Sequence, residues 1–101
     1  MKTGLLLAVL LAPLAGAAQT PDALYVRSLA ATCANCHGTD GRTVEGTSLP
    51  PLAGLQAEYI LQQMRAFRDG SRPATVMHQI AKGFSEPQLQ QLAIYFAAQK
   101  K

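Results

Sequence analysis

Cys33-Ala34-Asn35-Cys36-His37-Gly38 contains both cysteines and one of the two histidines of this 101-residue chain. In a helical turn, Cys36 and His37 stand three and four positions beyond Cys33, so the three side chains project from one face. The residues leading into this turn support a helix. Thr20 suits an N-cap, Pro21 the first helical position, and Asp22 the positive first turn. Val26, Leu29, Ala30 and Cys33 recur at helical spacing, one apolar stripe that ends on a thiol. The helix is therefore expected to run to about Cys33.

Downstream, residues 38–54 are rich in Gly, Thr and Pro and lack a sustained period, which reads as a loop. A second helix is expected over Ala57 to Asp69, with Ala57, Ile60, Leu61 and Met64 on one face and Gly70 as its left-handed stop. Pro73 follows, and Val76 to Lys82 allows one or two helical turns ended by Gly83. The last helix is the best specified. Ser85-Glu86-Pro87-Gln88 matches a capping box, and Leu89, Leu92, Ala93 and Phe96 form a stripe. Lys100 and Lys101 would face the negative end of its dipole. No stretch alternates at strand period and no repeat is visible, so a small all-α domain is expected.

The N-terminal end is segregated from the rest. Residues 1–18 hold 13 of the 49 apolar residues. Lys2 precedes the run Leu5-Leu6-Leu7-Ala8-Val9-Leu10-Leu11, Pro13 breaks it, and Ala15-Gly16-Ala17-Ala18 supplies small residues for cleavage. This is the pattern of a secretory signal peptide, residues 1–18, cut after Ala17 or Ala18. Leu5 to Ala18 spans only 14 residues, whereas a membrane-spanning helix needs about 20. The mature domain, residues 19–101, is thus expected in the periplasm without a membrane span. At 15% charged residues and a formal charge of +3, with no basic cluster beyond Lys100-Lys101, the composition excludes disorder and argues against a nucleic-acid partner. A domain this small buries a modest core and commonly needs a disulfide, metal or cofactor.

C-x-x-C-H is the attachment motif of c-type haem. Two thiols on one helical face can form thioethers to the two vinyl groups of one haem, and His37 then lies beneath the iron as proximal ligand. Three other uses of two cysteines compete. A disulfide across so short a loop adds little stabilisation. A thioredoxin-like dithiol wants its cysteines at the start of a helix after a strand, and here they follow a helix. A zinc site needs a fourth ligand, and His78 is the only other histidine. One covalent haem c also supplies the missing core. On the other haem face the candidates are Met64, Met77 and His78. Met64 sits on an apolar helix stripe and reads as packing; Met77 and the adjacent His78 lie in the segment between two helices.

With Cys33–Gly38, Leu49-Pro50-Pro51-Leu52-Ala53-Gly54, Arg72-Pro73-Ala74-Thr75-Val76-Met77 and Tyr95-Phe96-Ala97-Ala98-Gln99-Lys100, the chain resembles class I c-type cytochromes over its whole mature length. It is most similar to one half of the tandem dihaem periplasmic cytochromes and to the cytochrome subunit of flavocytochrome c sulfide dehydrogenase, the latter through Val76 to Ser85. The resemblance implies a small fold of three to four helices wrapped around one haem. It implies Cys33 and Cys36 as covalent attachments and His37 and Met77 as axial ligands. Pro50, with Pro51 beside it, matches the proline whose carbonyl takes a hydrogen bond from the proximal histidine. Unlike the dihaem relatives, this chain has one haem motif.

The function implied is one-electron transfer, with no catalytic residues. Its partner would be the FAD-containing flavoprotein subunit of a sulfide dehydrogenase, with a downstream acceptor. The alternative is a diffusing carrier serving an oxidase or reductase; a third reading is ligand binding or peroxidase activity at an open iron. Tyr59, Phe67, Phe84, Tyr95 and Phe96 read as packing and pocket wall. Arg65, Arg68 and Arg72 read either as partners for haem propionates or as a solvated helix face.

Overall fold

Thr20 opens the first helix with its side chain: Oγ1 accepts a hydrogen bond from the Ala23 amide at 3.2 Å. The computed structural model describes Gly4 and residues 20–101, so the expected leader and its cleavage point lie outside the described residues apart from Gly4. Five α-helices follow in order: α1 (Pro21–Ala31), α2 (Ala34–His37), α3 (Ala57–Asp69), α4 (Met77–Lys82) and α5 (Glu86–Ala97). The described residues contain no strand. The architecture is the all-α one expected.

The helix count exceeds the expected three to four because the turn that carries Cys36 and His37 forms a short helix of its own, α2, just past the first expected helix. α1 stops at Ala31 rather than Cys33. The Thr32 hydroxyl donates to the Leu29 carbonyl at 2.7 Å, competing with the helical ladder, and the backbone tightens as Cys33 N–H bonds Ala30 O at 3.1 Å. α2 then restarts from Cys33.

α3 has the expected bounds, and Gly70 (φ 85°, ψ 3°) ends it in the left-handed conformation. α5 begins with a full capping box, Ser85 Oγ accepting from Gln88 N at 3.3 Å and Gln88 Oε1 accepting from Ser85 N at 2.9 Å. Its buried residues are the predicted stripe, Leu89, Leu92, Ala93 and Phe96. Lys100 and Lys101, in contrast, lie past the end of the helix at Ala97, whose last turn holds no basic residue.

α5 crosses α1 and packs on α3, and α4 is docked against α3. The core joins Ala30, Ile60, Leu92, Ala93 and Phe96, with Met64 and Phe84 packed against it, so Met64 does serve as packing. Of the eight buried apolar residues among those described, four are alanine. Burying a large apolar side chain contributes ~1.5–3 kcal/mol, about what ordering the backbone of one or two residues costs. Four such side chains are too few to hold about eighty ordered residues together.

A clamp at the surface ties α3 to the start of α5. Glu86 accepts from Arg65 Nε at 2.6 Å and from Arg68 Nη2 at 2.6 Å. Arg65 and, second, Arg68 pull the Glu86 carboxyl down from 4.5 to about 2. A carboxyl lowered on folding stabilises the fold above its unfolded value and loses that contribution as pH falls. The melting temperature of the wild type is therefore expected to lie above that of Glu86→Gln near neutral pH and to fall toward it between pH 4.5 and 2. The two should converge at the acid end, and high salt should shrink the difference because the pair is exposed. Thermal unfolding followed by circular dichroism across this pH range checks it.

Candidate functional site

α2 places the motif. His37 N–H donates to Cys33 O at 2.9 Å and Gly38 N–H to Ala34 O at 2.9 Å, closing one helical turn that carries both thiols and the imidazole. Cys33 is half-buried, Cys36 exposed, and both are free. Burial pushes the Cys33 thiol up against the smaller opposing effect of the Thr32 hydroxyl. A redox dithiol needs the reverse, a thiol pulled down. Among the described residues no group of three or more His, Cys, Asp or Glu side chains is placed to hold a metal ion by itself.

His37 is 8% exposed, and its Nδ1 lies 2.8 Å from the carbonyl oxygen of Pro50. A carbonyl only accepts, so Nδ1 carries the proton and Nε2 keeps its lone pair. The carbonyl belongs to Pro50, not to its neighbour Pro51. The loop is folded back to put it there: Leu52 N and Ala53 N both donate to Gly41 O, at 2.8 and 3.1 Å, and Gly54 N donates to Phe96 O at 2.9 Å. A β-carbon on Gly41 would sit 2.8 Å from Leu52 Cβ and 2.9 Å from Phe96 Cδ1, so only glycine allows this approach.

Gly38, the residue after the motif, is held to glycine by its backbone. Gly38 has φ 82° and ψ 161°, a region open only to glycine, and a β-carbon there would meet the Arg42 carbonyl oxygen at 1.8 Å. Asp40, not singled out in the sequence, holds the same turn. At φ 55° it accepts a hydrogen bond from the Tyr95 hydroxyl on α5. Burial first and the Asp40 carboxylate second push the Tyr95 hydroxyl up, keeping it a donor. The Asp40-Gly41 pair is itself a turn signal and could have pointed to it.

Residues 25–97 match the family described as cytochrome c. The chain belongs to the cytochrome c family. It is 40% identical over 79 residues to a cytochrome c4 of Pseudomonas aeruginosa, covering 78% of this chain and 39% of that protein. It is 40% identical over 68 residues to the cytochrome subunit of sulfide dehydrogenase of Chlorobaculum tepidum, covering 67% of this chain and 60% of that one. A solved Acidithiobacillus ferrooxidans cytochrome c4 superposes with a TM-score of 0.60 at 39% identity, over 65% of this chain and 38% of that chain. The chain thus spans about two fifths of the length of these cytochromes c4. The fold is the class I cytochrome c fold. The family's cofactor is covalently attached haem c, and Cys33 and Cys36 fit its attachment motif; its chemistry is haem-based electron transfer.

The residues present fit that cofactor. The motif's thiols are unpaired, the imidazole is oriented by Pro50 with Nε2 left over, and the core is too thin without a further apolar group. Leu49, beside Pro50, is 40% exposed and Val76, beside Met77, is 50% exposed, apolar surface that a haem would take out of water. Met77 begins α4 and is half-buried, whereas His78 lines a cleft with Arg68 and Arg72 that Met77 does not border. The arginines have protein partners: Arg65 and Arg68 hold Glu86, and Arg72 lies 4.6 Å above the Phe67 ring with Nη1 2.5 Å from Gln63 Oε1. Of the aromatics, Phe96 is core and Tyr95 meets it edge-on at 5.3 Å, while Tyr59 stays 47% exposed. No described helix is long and apolar enough to cross a membrane.

Proposed function

We propose that this chain is an exported, periplasmic one-electron carrier with haem c joined to Cys33 and Cys36 and iron held between His37 and Met77. The observation that carries the reading is the buried His37 ring anchored through Nδ1 on Pro50 at 2.8 Å. Bound haem c supplies a reversible one-electron couple at iron. His37 donates to a fixed carbonyl, which locks the tautomer and raises the basicity of Nε2. Met77 offers a soft thioether, which favours the reduced state over what a second imidazole would. Apolar side chains keep water from the site and disfavour the extra charge of the oxidised state.

His78 is the rival to Met77, and its place in a cleft that Met77 does not line supports Met77 as the ligand. Met77→Ala is expected to lower the midpoint potential by a sizeable part of the roughly 0.8 V over which axial ligands set haem potentials. It should also abolish the ferric charge-transfer band of methionine ligation and allow carbon monoxide to bind. Redox titration with optical spectra checks this, and an unchanged potential rejects Met77.

The partner proposed is the flavoprotein subunit of a sulfide dehydrogenase, supported by the likeness to the Chlorobaculum tepidum subunit. A second reading, a diffusing carrier, is supported by the equal identity to a cytochrome c4. Without Lys2 the chain's formal charge of +3 becomes +2, and haem propionates bring the holoprotein to about +1 or neutral. Long-range steering would then be weak, which fits a partner held by contact. Purification from the native host separates the two: a flavin-containing chain retained with the cytochrome supports the subunit, and a cytochrome eluting alone supports the carrier.

A further inference from the structure

The cleft lined by His78 has a chemistry that electron transfer does not use. It has a volume of about 330 Å³ and lies between the end of α3, the Gly70–Ala74 strap and α4. Arg68, Arg72 and Lys82 line it, with Asp69 the one carboxylate among its lining residues. None of Cys33, Cys36, His37 or Met77 borders it.

Each cation retains donors. Arg68 commits Nη2 to Glu86 and Arg72 commits Nη1 to Gln63, which leaves further N–H groups on both guanidiniums. Lys82 makes no ion pair among the described residues. Asp69 stays ionised: the Ser71 hydroxyl and amide both lower its carboxyl, and its Oδ1 takes the Ser71 N–H at 2.8 Å. It subtracts one charge and leaves the lining cationic. Within the cleft, His78 Nδ1 is buried and without a partner. An unsatisfied buried ring nitrogen costs about 1–3 kcal/mol, a cost that a ligand oxygen would remove. One face of Phe67 is already covered by Arg72 at 4.6 Å.

We infer that this cleft binds a small tetrahedral oxyanion of the sulfate or phosphate type, held by Arg68, Arg72 and Lys82, with His78 in its Nδ1–H tautomer as a further donor. Concavity favours a small solute over the flat surface of a protein. Guanidinium forks suit two oxygens of such an anion, and the ammonium adds a third charge-assisted bond. The bound anion would join α3 to α4 across the strap that leads to Met77.

The test uses the reduced, diamagnetic holoprotein. Its amide and His78 ring resonances are followed by NMR while sodium sulfate, and separately sodium phosphate, replaces sodium chloride at constant ionic strength. Saturable shifts at millimolar anion, confined to Gly70, Ala74, the His78 ring and Lys82, are expected. Lys82→Gln, at an exposed position with no ion pair, should weaken binding about tenfold, the value of one charge-assisted bond. Lys82→Glu should abolish it, and Lys100→Gln should leave it unchanged. Shifts that grow linearly without saturating, or Lys82 variants that titrate like wild type, would overturn the site. The Lys82 readouts do not depend on which partner docks, and ligation of iron by His78 would show on its own as an unchanged potential in Met77→Ala, so the site and the proposed function fail separately.

Discussion

Haem is expected to become extractable by acidified organic solvent when Cys33 and Cys36 are both replaced by alanine, and the stripped chain is expected to lose most of its helical circular dichroism. The wild type should retain its haem under the same treatment. The first effect follows from the two free thiols on the α2 turn, which in this family's motif carry the covalent bonds. The second follows from the core. Leu89 is the one large side chain among those described with essentially no exposure, and half of the buried apolar residues are alanines. Helices of 4, 6, 11, 12 and 13 residues are marginal by themselves in water. They need a common apolar surface to pack on, and the protein side chains supply only part of one. A stripped chain that still unfolds cooperatively at the wild-type temperature would show that the side-chain core suffices and would sink the argument.

Gly38→Ala is expected to be among the most damaging single-methyl changes in the chain. The backbone there (φ 82°, ψ 161°) is one that an L-residue occupies only at a cost, of order 1–3 kcal/mol. The added carbon would lie 1.8 Å from the Arg42 carbonyl oxygen, a backbone atom that cannot swing aside. The segment that must shift begins immediately after His37 and includes the Gly41 carbonyl on which Leu52 and Ala53 hang. Its displacement would pull Pro50 away from Nδ1. A fall in melting temperature of order 10 °C or more is expected, together with a changed potential as the imidazole loses its fixed acceptor. Gly46→Ala is the comparison. Its φ is also positive, at 88°, but nothing lies within 4 Å of the added carbon, so it should cost roughly 1 kcal/mol. Equal melting temperatures for the two variants would remove the Arg42 contact as the cause.

How much of this was legible beforehand varies by element, for physical reasons. α3 and α5 could be read nearly to the residue because their signals are local: a capping box at Ser85, a glycine stop at Gly70, apolar residues at helical spacing. The break at Thr32 was missed because a hydroxyl bonding back to Leu29 O looks, in sequence, like any threonine near a helix end. The role of Arg65 and Arg68 was also hidden. Whether an arginine meets a propionate, water or Glu86 depends on how α3 lies on α5, which no spacing rule encodes. Asp40 and Tyr95 are 55 positions apart, and only packing brings them together.

The chemistry of the site was carried by the sequence alone. Cys33, Cys36 and His37 act through covalent spacing and one helical turn, both local properties, so C-x-x-C-H could be read without a fold. What tertiary structure decided is the setting of that turn. Loop closure between Gly41 and Ala53 presents the Pro50 carbonyl to His37 and so selects which ring nitrogen keeps its lone pair. The packing of α4 on α3 sends His78 into a cationic cleft, apart from Met77. Both outcomes rest on contacts between residues distant in the chain, whose geometry is set by what fills the space between them.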